Sequence, residues 1–290
     1  MSRILVTGIN SPLGQTVGRK LQAEGHSVVG TVRSSKINTQ GLPANELVAL
    51  DLENETTFTN IIGFFDSFVH VAGMSTGSAT EMMMSTGLGT HYLISRAKEL
   101  SLTRFIHISS MAVYGLGTEE LISENSPIPH GNDYHAARWA AECYLKSERE
   151  QVEVISIRSP AIAGSSTHNH FLSKVLEKML SQDAMINVTN PDFGFNNIVH
   201  ENVIAQFVST LLERDLGSEY RAVPIGSADP IPLREIIKVM SKATNYKGII
   251  NWVKPSSPPF RIDSTGAIEL GYKPITTLET INRWMHDAKL

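Results

Sequence analysis

The chain has 290 residues, 41% hydrophobic and 19% charged, with 25 Lys and Arg against 29 Asp and Glu for a net charge of −4. This balance excludes a disordered, collagen-like or coiled-coil chain and offers no basic excess for non-specific nucleic-acid binding. A single cysteine, Cys143, excludes a disulfide framework and a Cys-based zinc site.

No leader and no apolar run of membrane-spanning length stands out, so a soluble, cytoplasmic protein that engages neither membrane nor nucleic acid is expected. In chain order, Ile4-Leu5-Val6 is a fully apolar run that ends at Gly8. Val17, Leu21 and Ala23 then fall near helical spacing within 13–24, closed by Gly25. Further strands are expected at 28–32, 47–50, 67–71, 105–108 and 154–157, with helices at 55–63, 80–100 and 133–150. Continuous apolar strands alternating with helices imply right-handed crossovers and a parallel sheet covered on both faces. The expected class is therefore α/β, a doubly wound parallel Rossmann sheet. Beyond about residue 165 the rhythm breaks. Helices at 170–181 and 201–214 flank a polar stretch at 187–197, then come a strand at 221–225, a helix at 232–244 and a Pro-rich run at 254–259. The expectation is a dinucleotide-binding domain over 1–165 and a smaller α/β substrate-binding cap over 166–290, parts of which return to the first domain.

The first strand runs into Thr7-Gly8-Ile9-Asn10-Ser11-Pro12-Leu13-Gly14 and then a helix. Gly8 permits a tight turn, and the backbone through Asn10, Ser11, Pro12, Leu13 and Gly14 could approach a pyrophosphate at the helix N-terminus. The bland alternative is an ordinary strand–helix turn. Its position inside a βαβ unit favours binding, although Ser11 stands where a glycine is expected. The second strand ends Thr31-Val32-Arg33-Ser34-Ser35-Lys36 without an acid to meet a ribose. Arg33 offers a fork to a 2′-phosphate and Ser34 a hydroxyl, which points to NADP with NAD as the alternative. A merely solvated Arg33 is the competing reading. Asp51 and Leu52 would then lie beside the adenine.

The fifth strand ends in Ser109-Ser110-Met111-Ala112-Val113-Tyr114-Gly115, and Tyr134 and Arg138 follow one helical turn apart. A tyrosine of pKa about 10 serves as a base near neutrality only when a nearby cation favours its phenolate. Arg138 supplies such a charge, and Ser110 at a strand tip can hold a substrate oxygen. This suits proton transfer coupled to hydride transfer.

These segments resemble the extended short-chain dehydrogenases/reductases, in particular the NAD-dependent epimerase/dehydratase group. The resemblance runs through TGINSPLG, Asp51-Leu52, His70-Val71-Ala72-Gly73, Gly89-Thr90, SSMAVYG, the Tyr134 helix and Arg158-Ser159-Pro160. It continues through Phe195-Asn196-Asn197-Ile198-Val199-His200 to a tail at 262–274 similar to that of nucleotide-sugar epimerases. It implies Tyr134 as acid/base, Ser110 as its partner and position 138 on the nicotinamide ribose. It also implies Val71, Ala72, Gly73, Ser109 and Pro160 around the dinucleotide, and Ser75, Met111, Ala161 and Arg261 around a small-molecule substrate, possibly a nucleotide sugar. A homodimer through the helices at 80–100 and 133–150 is part of the same implication.

Several positions depart from that pattern. Arg138 replaces the usual lysine, Thr86 an asparagine, and Met111-Ala112 an acidic pair used in dehydration, so dehydration by that route is not expected. Phe195 stands where an arginine clamps the diphosphate, with Arg261 as a substitute. Three functions stay open: an NAD(P)-dependent epimerase or reductase of a sugar, a reductase of a smaller non-sugar carbonyl compound, and a non-catalytic dinucleotide sensor or scaffold. Arg138 and Ser11 favour the last; retention of Ser110 and Tyr134 opposes it. His168 and His170 read as loop residues, His70 and His107 as core histidines, and Met82-Met83-Met84 as packing. Cys143 has no evident activating partner, Ser110 lacks a nucleophile elbow, and no metal site is expected.

Overall fold

The computed structural model describes residues 1–34, 38–115, 119–148, 152–165, 170–217, 220–254 and 258–290. Ser35, Lys36, His168 and residues 255–257 of the Pro-rich run lie outside the described residues.

The chain builds β1 (Arg3–Thr7), α1 (Pro12–Ala23), β2 (Ser27–Val32), β3 (Glu46–Ala49), β4 (Ser67–His70), α2 (Ala79–Met82) and α3 (Gly89–Glu99). It continues with β5 (Arg104–Ser110), β6 (Leu121–Ile122), α4 (Asp133–Ser147), β7 (Glu153–Ser159), β8 (Ala161–Ala163), α5 (Phe171–Leu180) and β9 (Met185–Val188). Next come β10 (Gly194–Phe195), β11 (Ile198–His200), α6 (Glu201–Glu213), β12 (Arg221–Pro224), β13 (Ile231–Pro232) and α7 (Leu233–Ala243). The last elements are β14 (Ile249–Trp252), β15 (Arg261–Ile262), α8 (Thr265–Glu269) and α9 (Thr277–Asp287).

Seven strands form one sheet in the order β12-β7-β5-β4-β1-β2-β3, and every neighbouring pair is parallel. This is the expected doubly wound Rossmann arrangement. Its inner strands are covered on both faces, which is why they read as unbroken apolar runs, whereas the edge strand β3 is largely exposed. Ile4, Val6, Val69 and Ile106 pack with α1 and α6, while Leu5, Phe68 and Phe105 pack with α3 on the opposite side. Strand order reverses between β1 and β4, so a crevice opens beyond their C-terminal ends, at Gly8 and Val71.

The later half of the chain divides its elements. β12 completes the edge of the main sheet and α6 covers one of its faces. The rest makes small pairs, β8 with β11 and β9 with β14 in parallel, β10 with β13 antiparallel. These surround a separate apolar cluster in which α9 contributes Ile281, Trp284 and Met285 and α7 contributes Ile236 and Met240. β15 pairs with β6 and ties this part to the loop after β5.

Several segments differ from the sequence expectation, among them α9 (Thr277–Asp287), which is not among the expected helices. At 55–63 there is a short 3-10 turn, Glu55–Asn60, started by Asn54 accepting from the Thr56 amide. The helix expected over 80–100 is interrupted by a widened π turn, Met83–Leu88. The polar 187–197 stretch holds the end of β9 and all of β10, strands too short to produce a periodic signal. No helix among the described residues is long and apolar enough to cross a membrane.

Candidate active site

The turn after β1 is built for close backbone approach. Gly8 has φ +67°, and a Cβ on Gly14 would lie 2.1 Å from the Gly8 carbonyl oxygen, so glycine is required there. Ser11, in the place expected for another glycine, caps α1. Its hydroxyl accepts from the Gly14 amide at 3.1 Å and donates to the Gly8 carbonyl at 2.8 Å. The serine thus fixes the same tight turn by hydrogen bonding. Because Pro12 opens the helix and no acid lies in its first turn, the dipole's positive end is uncompensated. Thr7 Oγ1 accepts from the Val71 and Ala72 amides, each at 3.1 Å, and so locks the two strand ends together. These features fit a dinucleotide pyrophosphate, the group this turn would hold.

Ser110 ends β5 and starts a 3-10 turn by accepting from the Ala112 amide at 3.1 Å. Asn132 caps α4, which sets Tyr134 in the first turn and Arg138 directly behind it. Arg138 is 7% exposed; its Nε donates to Tyr134 Oη at 3.2 Å and its Nη1 to the Ile108 carbonyl at 3.1 Å. The guanidinium lies over the Tyr134 ring, 5.3 Å from its centroid. Burial alone would push the phenol up, but the Arg138 charge and hydrogen bonds with Ser110 and Arg138 outweigh it. The net result is a phenol held below its ordinary value of 10.0.

A cleft of about 630 Å³ joins these parts. It is lined by Ser11, Pro12 and Leu13 on one side and by Val71, Gly73 and Ser75 on the next. Ser109, Ser110 and Met111 line it from β5, Tyr134 and Arg138 from α4, and Pro160 and Ala161 from the chain after β7. Among the described residues, no Asp or Glu lines it. Gly73 lets the wall approach closely, since a Cβ there would stand 3.0 Å from Arg138 Nη2.

Other expected residues lie outside that lining. Gly8, Asn10, Gly14 and Ala72 shape the turn from behind or beside it, and Leu52 packs against Gly89. Arg33, its side chain 58% exposed, faces Asp51 at 4.0 Å and Glu53 at 3.7 Å. Ser34 follows it at the end of β2. Arg261 faces Glu120 at 3.5 Å and lines neither the cleft nor the recess beside it. Ser109 is turned inward, donating to Glu142 Oε1 at 2.6 Å. Ile108, Ser159, Ile162, His170, Asn197 and Phe260 line the cleft without having been singled out for it. Ser159 and Asn197 carry a usable signal, their places in the Arg158-Ser159-Pro160 segment and in the segment that follows Phe195.

Two buried histidines stand beneath the site. His70 meets Thr7 Oγ1 at 2.7 Å and Thr90 Oγ1 at 3.0 Å, and its ring stacks on His107 with centroids 5.5 Å apart. Burial first, and the Arg138 charge second, lower the His70 pKa from 6.5 to about 3. The π turn brings Thr86 Oγ1 to the Met74 backbone, accepting from its amide at 3.0 Å, which steadies the loop after β4. Among the described residues no group of three His, Cys, Asp or Glu could hold a metal ion.

The family model of the NAD dependent epimerase/dehydratase family matches residues 4–191. The chain belongs to this family. The dTDP-D-glucose 4,6-dehydratases are among its relatives. A dTDP-D-glucose 4,6-dehydratase of Homo sapiens is 26% identical over 206 residues, 69% of this chain and 58% of the human protein. The chain therefore spans well under two thirds of that relative. A second relative, a 4-hydroxy-2-methyl-3-oxo-4-farnesyl-3,4-dihydroquinoline-1-oxide ketoreductase of Stigmatella aurantiaca, is 30% identical over 132 residues, 44% of this chain and 39% of that protein. In fold, the chain is similar to the UDP-glucose 4-epimerase of Thermotoga maritima solved with UDP-glucose. The TM-score is 0.82 at 19% identity, over 99% of this chain and 98% of the other.

Proposed function

We propose that the protein is an NAD(P)-dependent epimerase or reductase that acts at a carbinol or ketone carbon, either of a sugar or of a smaller non-sugar carbonyl compound, with Tyr134 moving the proton. The observation that carries this reading is Tyr134 in the cleft beside Ser110, with Arg138 Nε donating to its Oη at 3.2 Å and the Arg138 charge favouring the phenolate. When bound, the dinucleotide supplies or accepts the hydride at its nicotinamide ring. The α1 N-terminus with Ser11, Pro12 and Leu13 would hold its pyrophosphate, and Val71, Gly73, Ser109 and Pro160 would surround the nicotinamide half.

In the oxidative direction Tyr134 Oη, as phenolate, accepts the carbinol proton while Ser110 holds the same oxygen; in reduction the phenol returns that proton to the carbonyl oxygen. Arg138 favours the phenolate throughout and cannot itself release a proton, so any relay beyond Tyr134 must use another group. An epimerase must let the substrate turn over between two such proton transfers, whereas a reductase releases it after one. A dehydratase needs a further acid, and the cleft wall has Met111 where that acid would act.

Arg33 and Ser34 favour NADP(H). A 2′-phosphate there must compete with Asp51 and Glu53 for the Arg33 guanidinium. Calorimetric titration is expected to give tighter NADPH than NADH, and the reverse order would remove Arg33 from the site. The names of the relatives favour a nucleotide-linked sugar. A smaller non-sugar carbonyl compound is favoured by Phe195 and by the relative named as a quinoline-oxide ketoreductase. Turnover assays with bound cofactor, across nucleotide sugars and simple ketones, test the reading; activity that survives Tyr134→Phe would overturn it. A homodimer packed through α3 and α4 belongs to the same proposal, and sedimentation should give twice the chain mass of 31.8 kDa.

A further inference from the structure

Beside the cleft lies a recess of about 300 Å³, joined to it at Asn197 and Phe260, which line both. Four phenylalanines, Phe171, Phe193, Phe195 and Phe260, form much of its wall, and among the described residues no charged side chain lines it. Residues 166–169 and 255–257, which precede His170 and Pro258 in the sequence, contain no Lys, Arg, Asp or Glu. Two arginines follow its lining residues in the chain, yet both face carboxylates: Arg234 that of Asp192, and Arg261 that of Glu120. The start of α7, which borders the recess, is also engaged. The Leu233 amide donates to the Phe193 carbonyl at 3.2 Å and the Arg234 amide to the Pro191 carbonyl at 3.0 Å. A phosphoryl group seated here would lose its hydration without gaining a counter-charge. At the junction, Asn197 Oδ1 is buried and has no hydrogen-bond partner among the described residues. A buried acceptor left open at the mouth of an apolar recess asks for a donor from a ligand.

We propose that the recess receives an uncharged aromatic or branched apolar substituent of the substrate, with a hydroxyl or N–H of that substrate donating to Asn197 Oδ1, and that it rejects a nucleoside diphosphate. The proposal rests on the cleft being the hydride-transfer site, and it selects the non-sugar form of that reading. Aromatic walls reward a flat, neutral ring through area and edge-to-face contact, and they give a charged linker nothing.

The test uses the full chain and the neutral fluorescent naphthyl ketone prodan, which has no O–H or N–H and therefore reads the aromatic wall rather than the bond to Asn197. Saturable binding with blue-shifted emission is expected, persisting in Tyr134→Phe and not displaced by UDP. Phe195→Arg and Phe193→Arg, each checked for an unchanged Tm, should weaken prodan by about tenfold or more, because each places a cation in an apolar wall. Displacement of prodan by UDP from the unsubstituted protein would overturn the proposal. So would the absence of saturable binding, or unchanged prodan affinity in both arginine variants. The UDP competition decides the matter even if neither variant folds. Loss of turnover in Tyr134→Phe concerns the proton transfer alone, so the two readings fail separately.

Discussion

Two buried arginines, one on α4 and one facing it from β7, have opposite surroundings. Arg158, 4% exposed, makes a bidentate ion pair with Glu142, itself 1% exposed, with Nη2 to Oε2 at 2.7 Å. Its Nη1 donates to Tyr114 Oη at 2.7 Å, and that phenol donates to the Ser123 carbonyl at 2.7 Å. Every charge in this group is answered, which fixes α4 to the sheet and to the loop after β5. Arg138, one turn before Glu142, is nearly as buried, but its acceptors among the described residues are a carbonyl and a phenol. An unanswered buried charge is costly unless function uses it. The paired arginine holds the frame; the unpaired one acts on Tyr134.

Variants that break this contrast are ranked by expected effect. Tyr134→Phe should lower turnover by about 10²- to 10⁴-fold with little change in Tm, the magnitude usual for a positioned acid/base. Glu142→Gln should destabilise the fold by about 3–5 kcal/mol, because it strands the Arg158 charge. Arg138→Met should cost clearly less stability in the same denaturant titration, and the opposite order would overturn the assignment of the two arginines. Arg138→Lys should retain activity within about tenfold, since the charge remains while the fork is lost. Complete loss would show that the bond to the Ile108 carbonyl is indispensable.

The pH effect is confined to acid conditions. His70 titrates at about 3 in the fold against 6.5 when unfolded, so the unfolded chain binds more protons between those values. Stability is therefore fully present above 6.5 and declines as pH falls toward 3, by at most about 1.4 kcal/mol per pH unit from this group. Thermal melts of His70→Asn should show a flatter acid limb.

The contrast also marks what the sequence made legible. Tyr134 and Arg138 declare themselves by spacing, and the sheet by its apolar runs, because both are local patterns. The Glu142–Arg158 pair is 16 residues apart and depends on how α4 lies against β7. The aromatic recess is harder still. It gathers Phe171, Phe193, Leu233 and Phe260 from separate stretches, around two-residue strands that no periodicity reveals. The π turn is hidden because its residues suit an ordinary helix, and the bond it allows between Thr86 and the Met74 backbone joins residues 12 apart. Ser11 looked like a defect in a glycine turn until its hydroxyl was seen to cap α1.

Whether the unpaired charge of Arg138 prepares Tyr134 for proton transfer can be measured without a substrate, by ultraviolet difference titration of tyrosine ionisation. One tyrosine should ionise below pH 10, vanish in Tyr134→Phe, and move upward in Arg138→Met, where burial is no longer opposed by the cation. A titration in which no tyrosine ionises early, or in which the early one survives Tyr134→Phe, would contradict the account.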